Sequence, residues 1–124
     1  MDQFLAEQLI RTYVEGWKEY DLTKILSTLD PDCVLIESQG QTFRGAHKII
    51  REVEKRIASE YGPWKIHRWD ITTLTVTGSL CFLEWIFESQ RRFEGASIVQ
   101  YKEGKISSVR EYRTTQPLWE ASEE

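Results

Sequence analysis

Leu5, Leu9, Tyr13 and Trp17 recur every four residues, with Ile10 and Val14 beside them, while Glu7, Arg11, Glu15 and Lys18 fall on the opposite face. That spacing predicts an amphipathic helix from about Asp2 to Glu19. Gly16 inside it costs about 1 kcal/mol relative to Ala, which the rest of the stripe outweighs. Asp21 suits an N-cap, and Leu22, Ile25, Leu26 and Leu29 mark a second, short helix. Asp30-Pro31-Asp32 signals a turn, after which Cys33 to Glu37 reads as a short apolar strand ending in a carboxylate. Gln39-Gly40-Gln41 turns the chain again, and Thr42-Phe43-Arg44 can pair back on that strand. Ile49, Ile50, Val53 and Ile57 share one face of a third helix, from about Ala46 to Ser59, which Tyr61-Gly62-Pro63 stops.

From there the period changes. Trp64 to Val76 is rich in Thr, Ile and Trp, residues that favour a half-buried pleated surface. After Thr77-Gly78-Ser79, Leu80 to Glu88 alternates: Cys81, Leu83, Trp85 and Phe87 lie on one face, and Phe82, Glu84, Ile86 and Glu88 on the other. Phe93 to Tyr101 and Lys105 to Thr115 follow as strands, joined by a hairpin at Lys102-Glu103-Gly104. Pro117 and the acidic residues after it read as a loose tail. The expected layout is one α+β domain over residues 1–116 with a tail over 117–124: three helices, then an antiparallel meander.

At 124 residues the chain has the length of one domain and can build a core without staples. Its net charge of −4 leaves no basic footprint for nucleic acid. The densest basic stretch, Lys48 to Arg56, is broken by Glu52 and Glu54 and reads as a solvated helix face. No apolar run reaches membrane-spanning length, and the N-terminus lacks the layout of a signal peptide, so a soluble cytoplasmic protein is expected. Cys33 and Cys81 are expected to be reduced core thiols. His47 and His67 have no metal-ligand spacing, so neither a metal nor another cofactor is expected. His67 could carry a proton, but a lone His in a strand usually serves structure.

Tyr13-Val14, Asp21-Leu22, Asp30-Pro31-Asp32-Cys33-Val34, Phe43-Arg44-Gly45, Gly104-Lys105-Ile106 and Arg110-Glu111-Tyr112 occur in an order that resembles the nuclear-transport-factor-2-like (SnoaL-like) superfamily, over about residues 3–115. The resemblance implies a cone: a curved, mostly antiparallel sheet of cystatin-like α+β type, wrapped on three N-terminal helices, with an open end for a small apolar molecule. The fold hosts isomerases, cyclases, hydrolases, dehydratases and inert binding domains, so it does not choose among them. In the ketosteroid isomerases of this superfamily, a Tyr on the first helix, a carboxylate base ending the first strand and a protonated Asp on the penultimate strand act together. By that likeness Tyr13 falls at the Tyr and Glu37 at the base. The third position falls near Ser97, which departs from the pattern, and Ser97 and Val99 also do not supply the Asp–Arg–Asp set of the related epoxide hydrolases.

The same register turns Trp85, Ser97, Val109, Glu111 and Arg113 inward. Tyr13 and Glu37 are therefore the candidate catalytic pair, and Trp17, Trp69, Trp85, Ser97, Val109, Glu111 and Arg113 the candidate pocket residues. Each has a plainer alternative: Tyr13 and the tryptophans as core, Glu37 as a solvated strand end or a structural ion pair, Glu111 and Arg113 as a surface ion pair or one within the sheet. Three functions stay open: proton transfer on a small carbonyl compound, ligand binding without chemistry, or an interaction domain whose pocket its own tryptophans fill. The uncovered sheet face, with Phe82, Ile86 and Ile98 among charges, suggests a symmetric homodimer. Light scattering tests this, since a monomer mass across micromolar concentrations would exclude it.

Overall fold

The computed structural model describes residues 2–38, 40–58, 65–89 and 91–114. Helix α1 (Gln3–Glu19) starts where the Asp2 carboxylate accepts from the backbone N–H groups of Phe4 at 2.7 Å and Leu5 at 3.4 Å. It ends at Tyr20, which is left-handed at φ 55° and returns its N–H to the last turn. Helix α2 (Leu22–Thr28) is capped by Asp21, as its sequence suggested. Gly16 is placed by packing. A Cβ there would stand 2.7 Å from Ile25 Cγ1 and 3.0 Å from Ile25 N, so the missing side chain lets α2 fold tightly against α1.

Six strands form one sheet in the order β2-β1-β6-β5-β4-β3. They are β1 (Leu29–Ile36), β2 (Thr42–Arg44), β3 (Arg68–Thr77), β4 (Leu80–Glu88), β5 (Arg92–Lys102) and β6 (Lys105–Arg113), with helix α3 (Ala46–Ile57) between β2 and β3. Neighbours run antiparallel except β1 and β6, which are parallel. The expected meander is thus β3 to β6, and β1 joins its far edge. The hairpin between β5 and β6 turns through Glu103 at φ 51° and Gly104 at φ 79°, the two left-handed residues that a tight two-residue turn requires.

Two details differ from the sequence pattern. Asp30-Pro31-Asp32 lies inside β1 as an irregularity: the pairing with β6 shifts register between Leu29 and Val34, and the Asp30 carboxylate accepts from the Asp32 N–H at 2.8 Å. Turn-forming residues bulge the strand here without ending it, so Leu29 opens β1 and does not close α2. In β3 a second shift, between Ile71 and Thr73, changes which alternate residues face inward. Trp69 and Ile71 precede it on the covered side, and Leu74 and Val76 follow it. Of the expected strand from Trp64, only the part from Arg68 lies within a described strand. Trp64, Gln39, Ser59, the Tyr61-Gly62-Pro63 stop, Thr115 and the tail fall outside the described residues.

The core lies between the concave face of the sheet and the helices. Ile10, Tyr13, Val14, Trp17, Ile25 and Ile49 meet Cys81, Leu83, Trp85, Val99, Ile106 and Val109 there. Tyr101 fixes the sheet to α1 by donating its hydroxyl to the Ala6 carbonyl at 2.8 Å. Both cysteines are free and buried, and burial pushes the Cys33 thiol up to about 12. The opposite face of the sheet is partly open, with Phe82 and Tyr112 40% and 50% exposed. Among the described residues no helix is long and apolar enough to cross a membrane.

Candidate functional site

A cavity of about 700 Å³ opens at one end of the sheet, within the range of small-molecule sites. Tyr13 and Trp17 reach it from α1, Leu35 from β1, and Glu37 and Ser38 from the loop after β1. Glu52, Lys55 and Arg56 reach it from α3, and Ile66, Trp69, Trp85, Phe87 and Phe93 form its apolar side. Glu111 and Arg113 come from the last turn of alternation on β6.

The apolar side is an aromatic cluster with defined geometry. Trp69 meets Trp85 and Phe87 edge to face, with ring centres 6.0 and 5.8 Å apart, and Phe87 stacks on Phe93 at 5.0 Å. Trp85 is held in two ways. Its indole N–H donates to Ser97 Oγ at 2.9 Å. Its ring also lies across Gly95, its cross-strand partner on β5, where a Cβ would sit 2.5 Å from Trp85 Cζ2 and 2.6 Å from the Tyr112 carbonyl oxygen. Glycine at position 95 is thus the space the tryptophan occupies.

The polar side is organised by Arg56. Its guanidinium bonds Glu37 Oε1 at 2.7 Å and Glu52 Oε2 at 3.1 Å, and it stands 5.4 Å from the Trp17 ring centre. Glu37 therefore faces the cavity, but as one half of an ion pair. Arg113 makes no ion pair among the described residues, with Glu111 or with Glu37, and stacks 4.9 Å from the centre of Phe93. Arg56 and Glu52 belong to the stretch that reads as a solvated face. The available signal was their i,i+4 spacing beside the Val53 and Ile57 stripe, which places the pair at the border of the buried face.

Glu111 is the unusual group. Burial pushes its carboxyl up to about 8, the negative charge of Glu37 adds to that shift, and Arg56 and Arg113 only partly oppose it. Tyr13 lies within its influence. Burial first, and then the Glu111 charge, hold the Tyr13 hydroxyl well above its ordinary value. The Trp17 indole approaches that hydroxyl without reaching ordinary hydrogen-bond geometry, and the N–H groups of Trp17 and Trp69 are buried with no acceptor among the described residues.

Of the residues singled out from the sequence, Tyr13, Trp17, Glu37, Trp69, Trp85, Glu111 and Arg113 stand around this one cavity. Two do not. Ser97 is 3% exposed and spends its hydroxyl oxygen on Trp85, so it acts from behind the wall. Val109 is 1% exposed and packs in the core, short of the cavity surface. His67 is exposed, contributes no side chain to the lining, and joins β4 through its backbone N–H. Leu35, Ser38, Gln41, Ile66, Phe87, Phe93 and the α3 residues line it as well.

The sequence profile of the SnoaL-like domain family matches residues 10–109. The chain belongs to the SnoaL-like domain family. No curated protein sequence matches this SnoaL-like domain. Its fold is shared with solved structures of low sequence identity. One is a Methylobium petroleophilum protein of cystatin-like fold and unknown function, 22% identical, with TM-score 0.77 over 98% of this chain and 84% of the other. A nuclear-transport-factor-2-like protein of unknown function from Burkholderia xenovorans is 16% identical, with TM-score 0.77 over 98% and 90%. A Kribbella flavida protein provisionally named a ketosteroid isomerase is 16% identical, with TM-score 0.79 over 97% and 85%.

The elevated Glu111 value has a consequence for stability. Between the ordinary carboxyl value of 4.5 and about 8 the folded chain holds a proton that the unfolded chain releases. Stability should therefore fall as pH rises through that window, by up to about 1.4 kcal/mol per unit, with the full loss reached above it. Glu111→Gln, which cannot ionise, should flatten this part of the curve and be the more stable form near pH 9. Urea unfolding between pH 5 and pH 9 measures it. Parallel curves for the two proteins would show Glu111 to be an ordinary solvated carboxylate.

Proposed function

We propose that this SnoaL-like domain binds a small apolar carbonyl compound in the cavity and moves a proton on it, in an isomerase- or cyclase-type step. The observation that carries this reading is the meeting of Tyr13 and Glu111 at one aromatic cavity, with the Glu111 carboxyl shifted towards neutrality. Ionised Glu111 takes the proton from the carbon beside the carbonyl. Tyr13, kept protonated by its burial, donates a hydrogen bond to the oxygen as negative charge gathers there. Glu111 then returns the proton to the same or a conjugated carbon. Glu37, the base suggested by likeness to the isomerases, is occupied by Arg56. We assign it the placing of Arg56 and give proton transfer to Glu111.

One observation favours a second reading, binding without chemistry. The carboxylate at the strand-end position is clamped, so the arrangement of the ketosteroid isomerases is not reproduced. Deuterium exchange separates the two readings. A panel of small enolisable ketones in D₂O, followed by proton NMR, should include one whose exchange the protein accelerates by about 10²–10⁴-fold. The rate should rise with pH through about 8. Glu111→Gln should abolish the acceleration and Tyr13→Phe should reduce it. Ketones that bind without faster exchange would leave the binding reading alone, and a panel that neither binds nor exchanges would contradict both.

A further inference from the structure

Among the described residues, six charged side chains line the cavity: Glu37, Glu52, Lys55, Arg56, Glu111 and Arg113. Their pairing is uneven. Arg56 takes both Glu37 and Glu52, at 2.7 and 3.1 Å. Arg113 takes neither. It is half-buried, and among the described residues no carboxylate lies within ion-pair distance of its guanidinium. What it has is the face of Phe93, with its Cζ 4.9 Å from the ring centre. That stacking holds the planar guanidinium on the cavity wall while leaving its N–H edges for a planar acceptor. The Arg113 backbone N–H also donates to Ser38 Oγ at 3.3 Å, which ties the end of β6 to the loop after β1.

The carboxyl nearest in sequence is Glu111, two residues earlier on the same face of β6. It does not neutralise Arg113, because burial holds it largely protonated near neutral pH. The groups facing Glu111 are Tyr13 from α1, Glu37 from the loop after β1, Arg56 from α3 and Arg113 on its own strand; β5 presents the neutral Ser97 opposite it. With Glu111 neutral, the described lining carries Lys55, Arg56 and Arg113 against the carboxylates of Glu37 and Glu52. Among the described residues Lys55 and Arg113 are the lining cations with no ion pair; Lys55 is exposed, and the half-buried Arg113 sits beside the aromatic wall.

We propose that the ligand of this cavity carries a carboxylate, which pairs with the Arg113 guanidinium while its apolar body lies against Trp69, Trp85 and Phe87. This rests on the reading of the cavity as a ligand site and adds the chemical class of what enters it. The ligand is an apolar carbonyl compound with an acid arm long enough to reach Arg113 while its carbonyl faces Tyr13 and Glu111. A carboxylate suits the fork of an arginine, accepting two parallel N–H bonds. An ammonium ligand fits poorly, since it would meet Arg113 and Arg56 and would need Glu111 ionised.

Titration calorimetry on the intact chain with three probes of one shape decides this: naphthylacetate, naphthylacetamide and naphthylethylammonium. Naphthylacetate should bind about ten- to a hundredfold more tightly than the amide, the range expected for hydrogen bonds to a charged group. Arg113→Gln should erase that advantage by weakening the acid far more than the amide, and Arg113→Lys, which keeps charge but not the fork, should restore part of it. A urea midpoint and far-ultraviolet spectrum matching the parent, with amide binding retained, show that the Gln variant is folded with its cavity intact. If the amide binds as well as the acid, if the ammonium binds best, or if Arg113→Gln keeps the preference, the carboxylate assignment is wrong and the cavity reading survives. If none of the three binds, both are wrong.

Discussion

A half-buried carboxyl group facing a cavity with an aromatic wall is the constraint on which the rest of this site depends. Glu111 reaches the cavity because β6 lies centrally in the sheet, between β1 and β5, with its alternate residues turned inward. Ionising it there means placing a negative charge near Glu37 and among Trp85, Trp69 and the Tyr13 ring, where little water offsets the cost. The same burial that penalises the charge makes the group useful. A carboxyl poised near neutrality can both hold and release a proton, and an adjacent phenol held far above its usual value stays a donor throughout.

The other charges restrict what Glu111 can do. Arg56 pulls the Glu111 carboxyl down, but Glu37, paired with that guanidinium, pushes it up, and burial is the largest influence. Arg113 is turned onto Phe93. Both guanidiniums thus stand against aromatic rings, and the aromatic residues position cations besides forming an apolar wall. Two small residues matter as much. Gly95 leaves the space for Trp85, and Ser97 takes its indole N–H, so the wall opposite Glu111 is fixed by residues that never touch the cavity.

The fold was largely legible in the sequence because its signals are local. The four-residue recurrence on α1, the capping Asp21 and the two-residue alternation on β4 each have one physical meaning, and the structure follows them. The misreadings came where local chemistry yields to pairing. Asp30-Pro31-Asp32 has turn residues, but the β6 edge captures it as a bulge in β1. The site was legible by face and not by partner. Alternation alone turns Glu111 inward, and the α1 stripe supplies Tyr13. No spacing in the chain indicates that Arg56, nineteen residues after Glu37, claims that carboxylate ahead of Arg113. Ser97 shows the same limit: its face was readable, but its commitment to Trp85 depends on where the indole lies.

The central claim is that Glu111 is a neutral, cavity-facing acid near pH 7. Carboxyl carbon-13 NMR of glutamate-labelled protein, with the Glu111 resonance assigned by its loss in Glu111→Gln, follows that one group through a pH titration. A midpoint near 8 is predicted, well separated from the other carboxyls. A midpoint in the ordinary range near 4.5 would contradict the account, because Glu111 would then be a charged partner for Arg113 and not a neutral acid near pH 7.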